Sequence, residues 1–201
     1  MFLYGASGHS KVIKDILSLS GVEISAFVDD DTSKNEFREL PVLHEPLGCS
    51  PLILAIGDSR VRYNLAKKLL PLKPQYGVAI HPSAIVSPSA KIGEGTVVMP
   101  GVVINADVTI GRHCVINTGA VVDHECVIGD FVNICPRTTL CGNVRVGDGT
   151  NVCAGSVVIQ GITIGRWSMV GAGAICRHNV GDGVVVVDND CHEIKKIEIL
   201  E

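Results

Sequence analysis

The sequence predicts an N-terminal α/β domain with a small Rossmann-like parallel sheet, followed by a parallel β-helix of about five coils. Three observations predict this architecture. Apolar, strand-like segments alternate with helix-like segments over the first 80 residues. From Val86 to Val170 an aliphatic residue then occupies every sixth position without a slip in register. Within that stretch an aliphatic–Gly pair returns every eighteen residues, which sets the length of one coil.

The N-terminal segment contains short apolar runs that predict buried strands, separated by stretches with helical periodicity. The predicted strands are residues 2–4, 23–28, 51–56 and 75–80, and the predicted helices are residues 10–18 and 59–70. The polar, proline-punctuated stretch at residues 32–48 predicts a loop region. Proline in His81-Pro82-Ser83 ends the last strand, so we divide the chain into an α/β domain (1–80) and a repeat domain with a C-terminal tail (81–201).

The repeat domain is defined by fifteen aliphatic residues at six-residue spacing. A period of six fits neither an α-helix nor, by itself, an open sheet, so it predicts short strands joined by turns. The aliphatic side chains should point inward and stack on their counterparts one coil away, at about 4.8 Å. The positions are Val86, Ile92, Val98, Ile104, Ile110, Ile116, Val122, Ile128, Ile134, Leu140, Val146, Val152, Val158, Ile164 and Val170.

The eighteen-residue superperiod is marked by Ile92-Gly93, Ile110-Gly111, Ile128-Gly129, Val146-Gly147 and Ile164-Gly165. Eighteen residues make three six-residue faces, which predicts a triangular prism. After Val170 the period weakens. Residues 183–187 predict a final strand, and the charged tail at 191–201 predicts a strand or a short helix over the open end of the prism. Periodicity alone also fits a scaffold that binds nothing.

Composition excludes several classes of function. The net charge of −4 and the isoelectric point near 6.0 provide no basic footprint for nucleic acid or for an anionic membrane surface. Apolar runs are too short to span a bilayer, and Met1 leads into Phe2-Leu3-Tyr4 without a signal peptide, which predicts a cytoplasmic protein. Most of the eight cysteines occupy repeat positions and no C-x-x-C pair occurs, which predicts reduced structural thiols and no metal site.

Three loops are predicted to meet at the carboxyl edge of the N-terminal sheet. The turn Gly5-Ala6-Ser7-Gly8-His9 links the first strand to the first helix, where backbone N–H groups can hold a phosphate. The pair Asp29-Asp30 ends the second strand, and Gly57 follows the third. Together they predict a nucleotide or nucleotide-sugar site. The glycine turn can also be purely structural, and paired Asp residues often only cap a turn.

The repeat contains one turn with chemistry-bearing side chains, Asp123-His124-Glu125. It follows the inward residue Val122, so its side chains should point outward. A histidine beside carboxylates is a candidate general base, although an exposed histidine in a polar turn is more often inert. Gly142 lies eighteen residues after His124, hence one coil away on the same corner, where its backbone N–H could face a reacting carbonyl.

Four segments carry a resemblance to a known family: YGASGHS, FVDD, LAIGDSRVR and INTGAVVDHECVIGDFVNICPRTTLCGNVRVG. The chain resembles the hexapeptide-repeat sugar acyltransferases, the group that includes bacillosamine-pathway and perosamine N-acetyltransferases and sialic-acid O-acetyltransferases. The resemblance covers essentially the whole chain up to about residue 180. It implies a left-handed β-helix, homotrimers with active sites between subunits, and acetyl-CoA bound alongside the prism.

The resemblance also implies roles for individual residues. His124 matches the catalytic base and Glu125 the acid that raises its basicity. The nucleotide-sugar positions are matched by Ser7, Gly8, His9, Asp29, Asp30 and Gly57. The active-site and acetyl-CoA positions are matched by Asn117, Asn133, Gly142, Ala154 and Ala172. Two features depart from the pattern: Asn133 stands where the family commonly has a second histidine, and the usual Gly-x-Pro-Ala end of the last coil is replaced by residues 184–190.

The predicted function is acetyl-CoA-dependent N-acetylation of an amine on a nucleotide-linked amino sugar, with His124 as general base. One alternative keeps the chemistry and changes the acceptor to a sugar hydroxyl, as in sialic-acid O-acetylation. Another is a non-catalytic nucleotide-sugar-binding relative. A zinc-dependent carbonic anhydrase on the same fold would need three histidine ligands, and the repeat lacks the close pair that such a site requires.

Overall fold

The computed structural model of the chain describes residues 1–188 and 192–200, and it contains both predicted parts. The N-terminal part consists of β1 (Phe2–Tyr4), α1 (Gly8–Leu19), β2 (Ala26–Val28), β3 (Glu36–Phe37), β4 (Leu40–Leu43), β5 (Leu52–Leu54), α2 (Ser59–Leu69) and a 3-10 helix (Leu70–Leu72). Its strands lie in the order β3-β4-β2-β1-β5, and all pairs are parallel except β3 with β4. The predicted α/β domain with a parallel sheet is confirmed.

The loop predicted at residues 32–48 is wrong for residues 36–43, which form the β3–β4 hairpin at the edge of the sheet. Val42 is buried in the core, and the Phe37 ring meets Phe27 edge-on at 5.1 Å. The hairpin turn places Arg38 and Glu39 at φ of 52° and 66°. Two-residue hairpin turns with positive φ usually carry Asn or Gly, so the sequence lacked the usual signal.

The second part is a parallel β-helix built from two-residue strands that stack on three flat faces, and it winds left-handed, as predicted. Face 1 contains β6 (Ala79–Ile80), β9 (Val97–Val98), β12 (Val115–Ile116), β15 (Asn133–Ile134), β18 (Asn151–Val152), β21 (Met169–Val170) and β23 (Val184–Val187). Face 2 contains β7 (Ile85–Val86), β10 (Val103–Ile104), β13 (Val121–Val122), β16 (Thr139–Leu140), β19 (Val157–Val158) and β22 (Ile175–Cys176). Face 3 contains β8 (Lys91–Ile92), β11 (Thr109–Ile110), β14 (Val127–Ile128), β17 (Arg145–Val146) and β20 (Thr163–Ile164).

Paired strands are eighteen residues apart, as in Val103 with Val121, and the inward aliphatic residues form one continuous core. The predicted count of about five coils is too low, because the described part of face 1 alone holds seven parallel strands. The two extra levels come from β6 and β23, which lie outside the strict six-residue array. The predicted strand at 75–80 is also split: Tyr76 bridges to Leu52 in the N-terminal sheet, whereas β6 pairs with β9.

The C-terminal tail forms β24 (His192–Lys196), which pairs antiparallel with β23 at the end of face 1. The strand option of the prediction is therefore correct for these residues. Asn189, Asp190, Cys191 and Glu201 lie outside the described residues.

Three corners separate the faces, and each is named here by one residue. The Ala154 corner joins face 1 to face 2, the His124 corner joins face 2 to face 3, and the Arg112 corner joins face 3 back to face 1. The N-terminal part docks on face 1 and the Arg112 corner. Aromatic rings fill this seam: Tyr63 of α2 meets Phe131 and Trp167 edge-on, each at 5.3 Å, and His113 stacks on Phe131 at 5.0 Å.

Candidate functional site

The His124 corner presents an exposed histidine held by an adjacent carboxylate. His124 Nδ1 lies 3.1 Å from Glu125 Oε2, and the two side chains are 57% and 65% exposed. A carboxylate only accepts hydrogen bonds, so in the neutral form of the ring Nδ1 carries the proton and Nε2 has the lone pair. Glu125 adopts φ of 61°, a conformation uncommon outside glycine, which fixes the direction of its side chain.

Asp123 and Asn105 hold the backbone of this turn in place through hydrogen bonds. Asn105 Nδ2 donates to Asp123 Oδ1 at 2.8 Å, and the same oxygen accepts from the backbone N–H of His124 at 2.8 Å. The bond from Asn105, helped by that of His124, lowers the pKa of Asp123, which therefore stays ionised. The turn thus has a fixed backbone on which the histidine is carried.

Gly142 provides the surface against which the His124 ring lies. A Cβ on Gly142 would come within 2.6 Å of both Cε1 and Nε2 of His124, so only glycine leaves room for the ring. The backbone N–H of Gly142 has no hydrogen-bond partner within residues 1–188 and 192–200. A free N–H donor therefore lies beside the unprotonated nitrogen of a histidine, which can serve proton transfer with charge stabilisation.

The carboxyl edge of the N-terminal sheet forms the predicted crevice. Gly5 has φ of 112°, and a Cβ there would meet Ile56 Cδ1 at 2.8 Å, so glycine lets the first loop pack against the end of β5. Asp29 Oδ2 accepts from Ala6 N–H at 2.7 Å and pairs with Lys34 at 3.0 Å. Burial alone would raise the pKa of Asp29, but these bonds outweigh it and lower the pKa.

Asp30 lies between two cavities at this edge. Its Oδ1 accepts from Tyr4 Oη at 2.7 Å and lies 3.2 Å from Lys68 Nζ. Burial, with the bond to Asp30, raises the pKa of Tyr4, so the phenol stays protonated. Cavities of about 330 Å³ and 560 Å³ open on either side and share these three residues, a size range typical of small-molecule sites.

Gly8, His9 and Gly57 complete the crevice. A Cβ on Gly8 or Gly57 would meet no protein atom within 4 Å, and neither has positive φ, so the packing of the chain does not demand glycine at either position. Burial, with Arg62 nearby, lowers the pKa of His9 to about 4. Its Nε2 is buried and makes no hydrogen bond within the described residues. Open space at Gly8 and Gly57 and an unpaired ring nitrogen on His9 therefore lie close to the carboxyl ends of β1 and β5.

The Ala154 corner carries the remaining predicted residues. Ala154 and Ala172 are exposed and stack one coil apart, with Gly173 N–H donating to the Ala154 carbonyl at 2.9 Å. Asn117 lies at the same corner, and its Oδ1 accepts from Thr118 N–H at 2.8 Å. Two small exposed side chains therefore stack in a column along this edge of the prism.

The structure brings the predicted residues together in three separate groups. His124, Glu125 and Gly142 share one corner, and Asn117, Ala154 and Ala172 share another. The crevice residues lie beside face 1, because Gly57 is tied to Asn133 on β15 by a bond of 2.8 Å. Face 1 is opposite the His124 corner, so within one chain the crevice and the histidine are on different sides of the prism.

Sequence reasoning missed several residues that shape these groups. Tyr4, Lys34 and Lys68 bind the predicted Asp pair; the two lysines belong to no motif, and Tyr4 opens the YGASGHS segment without any signal of this contact. Asn105 had a usable signal, since it lies eighteen residues before Asp123 and therefore on the same corner. Arg62, whose role is described below, ends the LAIGDSRVR segment, but nothing in that segment indicates which residues it binds.

Known proteins share both parts of this chain. Residues 1–69 match the family model of the PglD N-terminal domain, and residues 89–124 match the bacterial transferase hexapeptide (six repeats) model. A variant of perosamine N-acetyltransferase from Caulobacter crescentus, solved in complex with CoA and GDP-perosamine, is 37% identical. The similarity covers 97% of this chain and 96% of that chain, with a TM-score of 0.91. The chain belongs to the hexapeptide-repeat N-acetyltransferase family.

Two further N-acetyltransferases are also similar to this chain. The acetyltransferase domain of PglB from Neisseria gonorrhoeae FA1090, solved with acetyl coenzyme A, is 34% identical over 96% of this chain and 98% of that chain, with a TM-score of 0.89. The UDP-N-acetylbacillosamine N-acetyltransferase of Bacillus subtilis (strain 168) is 39% identical over 105 residues. That match spans 47% of this chain and about half, 49%, of the curated enzyme. The family predicted from the sequence is confirmed.

Two features are absent from the described part of the chain. Residues 1–188 and 192–200 hold no cluster of three or more His, Cys, Asp or Glu side chains arranged for a metal ion. Within the same residues, no helix has the length and apolar character needed to cross a bilayer.

Proposed function

We propose that this protein is an acetyl-CoA-dependent N-acetyltransferase that acts on an amine of a nucleotide-linked amino sugar. The observation that carries the proposal is the His124 ring, fixed at Nδ1 by Glu125 and lying against Gly142. The related perosamine N-acetyltransferase, solved with CoA and GDP-perosamine, supports the choice of both substrates.

In the proposed reaction His124 Nε2 accepts a proton from the sugar amine as its nitrogen attacks the thioester carbonyl of acetyl-CoA. Glu125 stabilises the imidazolium that forms, because its carboxylate is bound to the other ring nitrogen. The free N–H of Gly142 donates to the carbonyl oxygen as negative charge develops there. Collapse of the tetrahedral intermediate breaks the C–S bond and releases CoA thiolate, which takes up a proton, and the amide product.

A single chain cannot bring the sugar to His124, since the crevice and the His124 corner are on opposite sides of the prism. A threefold axis facing face 2 solves this problem. Rotation about such an axis sets the His124 corner of one chain against the Ala154 corner of the next. The N-terminal part docks on face 1, which adjoins the Ala154 corner, so all three groups of predicted residues would meet between subunits.

The outward surface of face 2 supports this assembly. Its inward positions are buried aliphatics, yet its outward positions are also apolar, with a single threonine. These outward residues are Ile85, Val103, Val121, Thr139, Val157 and Ile175. Ile85 is 67% exposed in the single chain. A flat apolar strip of this length is typical of a buried subunit contact. We therefore propose a homotrimer with its active sites between subunits.

Replacing His124 tests the proposed chemistry. We expect His124→Ala to lower turnover at least a hundredfold, because general-base catalysis contributes about two to four orders of magnitude. Release of CoA thiol from acetyl-CoA, measured with a panel of UDP-, GDP- and CMP-linked amino sugars, gives both the acceptor and the rate. Nucleotide affinity, measured by calorimetry, should not change, since His124 lies outside the crevice.

Two outcomes would contradict the proposal. Unchanged turnover in His124→Ala would exclude the histidine as the base. Transfer to hydroxyl sugars but not to amino sugars would replace N-acetylation by O-acetylation. A cytoplasmic location, where acetyl-CoA and nucleotide sugars are made, stays a prediction.

A further inference from the structure

Arg62, in the second turn of α2, is the largest fully buried side chain of the described residues, at 1% exposure. A guanidinium has five N–H donors, and here each has an acceptor. Nε donates to the His113 carbonyl at 2.7 Å. Nη1 donates to the carbonyls of Ile56 at 2.7 Å and Gly57 at 3.2 Å. Nη2 donates to the Phe131 carbonyl at 3.2 Å and to Asn133 Oδ1 at 2.7 Å.

All five acceptors are neutral oxygens. Burial lowers the pKa of Arg62 to about 10, so the side chain remains a cation at neutral pH. A buried charge held only by carbonyl and amide oxygens depends on every one of those bonds. The Arg62 guanidinium therefore fixes the relative positions of three backbone segments: residues 56–57 in the crevice, and residues 113 and 131 at the Arg112 corner.

Asn133 extends the hydrogen bonds of Arg62 toward the crevice. Arginine only donates, so the oxygen of the Asn133 amide must face Arg62 and its NH₂ must face away. That NH₂ donates to the Gly57 carbonyl and to Asn151 Oδ1, both at 2.8 Å. The amide has no donor left for acetyl-CoA while these bonds hold. The Gly57 carbonyl, by contrast, is held twice, by Arg62 and by Asn133.

The segment held in this way is part of the crevice. Ile56 lines the smaller cavity together with Asp29 and Asp30. Gly57 leaves open the space where a side chain would be. We propose that Arg62, with Asn133 as its partner, is a positioning residue of the nucleotide-sugar site that fixes residues 56–57 to face 1 of the β-helix. The inference rests on the proposed function, because it names how that site is aligned.

A clamp that only joins the two parts of the chain would affect stability and nothing else. A positioning role adds a specific signature: nucleotide affinity falls, while acetyl-CoA affinity does not. The crevice is built from the N-terminal part, whereas the residues matched to acetyl-CoA positions at the Ala154 corner lie on an edge of the prism. The two ligands therefore report on different surfaces.

The experiment uses the full chain and two variants, Arg62→Lys and Asn133→Ala. Lysine keeps the charge but has donors at a single point, so it cannot span the five acceptors. Asn133→Ala removes one of the five acceptors of Arg62, leaves the other four in place, and removes one of the two bonds to Gly57. Arg145→Lys is the matched control, since Arg145 is exposed on face 3 far from the crevice. Dissociation constants for UDP, GDP, CMP and acetyl-CoA are measured by calorimetry, and folding is checked by circular dichroism.

We expect both variants to bind the nucleotide that the wild type prefers at least tenfold more weakly than the wild type does. Their affinity for acetyl-CoA, and the affinity of the Arg145→Lys control for both ligands, should stay within twofold of the wild-type values. If Arg62→Lys does not fold, Asn133→Ala carries the test. Unchanged nucleotide affinity in a folded Asn133→Ala variant would overturn the inference. Loss of acetyl-CoA affinity alone would overturn it too, and would assign Asn133 to the cofactor. A wild type that binds none of the three nucleotides would instead overturn the proposed nucleotide-sugar substrate, and the inference with it.

Discussion

At the scale of single residues, Gly142 and His124 work as a pair across two coils. The ring of one fills the space that a side chain on the other would take, with the hypothetical Cβ only 2.6 Å from the ring atoms. Gly142 does not have positive φ, so its backbone would accept other residues. Position 142 requires glycine only because the His124 ring occupies the space that a side chain would take.

This pair yields a direct prediction for Gly142→Ala. The added methyl group must displace the imidazole and break its alignment with Glu125, so we expect kcat to fall at least tenfold with nucleotide affinity unchanged. Gly181→Ala is the matched control, because a Cβ there meets no atom within 4 Å and φ is not positive. A Gly142→Ala enzyme with wild-type kcat would separate Gly142 from the chemistry.

Spacing predicted the residues that lie one coil apart. His124 and Gly142 were placed on one corner from the number eighteen alone, and Asn105 could have been placed with Asp123 in the same way. The partners of Asn133 could not be predicted, because Arg62 reaches it from a helix 71 residues earlier in the chain. Contacts within the repeat follow its period, whereas contacts between the two parts do not.

At the scale of elements, the Arg112 corner contains a column of left-handed positions: Gly95, His113, Phe131, Gly149 and Trp167. The glycines make room for the rings above them, since a Cβ on Gly95 would lie 2.1 Å from His113 Nδ1. Helix α2 packs on these rings through Tyr63. One of the rings in this column, that of His113, is both buried and titratable.

His113 makes the stability of this seam depend on pH. Burial, with Arg62 and Arg112 nearby, lowers the pKa of His113 to about 4, against 6.5 for an ordinary histidine. Between these values the unfolded chain binds more protons than the folded chain, so stability falls as pH drops from about 6.5 to 4. We expect His113→Phe, which keeps a ring in a position that Phe131 shows to be tolerated, to reduce this slope by up to about 1.4 kcal/mol per pH unit. Urea denaturation at several pH values measures it, and parallel curves for both proteins would contradict the prediction.

The elements that sequence reasoning misplaced lie outside the period. The β3–β4 hairpin has no Asn or Gly at its turn, and β6 precedes the first regular six-residue step although it already stacks on β9. The helices were well predicted because their starts are marked locally. Asp58 caps α2 by accepting from the N–H groups of Arg60 and Val61, at 2.8 and 3.0 Å.

At the scale of the whole molecule, the apolar outer surface of face 2 predicts the oligomeric state. We expect light scattering to give the mass of three chains of 21.2 kDa. Val121→Arg introduces a charge at the centre of the proposed contact and should yield a folded monomer without turnover. Val127→Arg is the matched control, because Val127 points outward from face 3, at 37% exposure. A monomeric wild type with full turnover would rule out sites shared between subunits.

Arg62 also limits how this protein can change in length over evolution. Repeat arrays grow and shrink by duplication or deletion of whole repeats. Arg62 donates hydrogen bonds to the carbonyls of His113 and Phe131, which belong to successive coils. A coil inserted between these two coils would move the carbonyls apart by about 4.8 Å, which is beyond the span of one guanidinium. A coil added after β21 would leave both hydrogen bonds intact. Differences in coil number among homologues should therefore accumulate near the C-terminal end, away from the helix that carries this arginine.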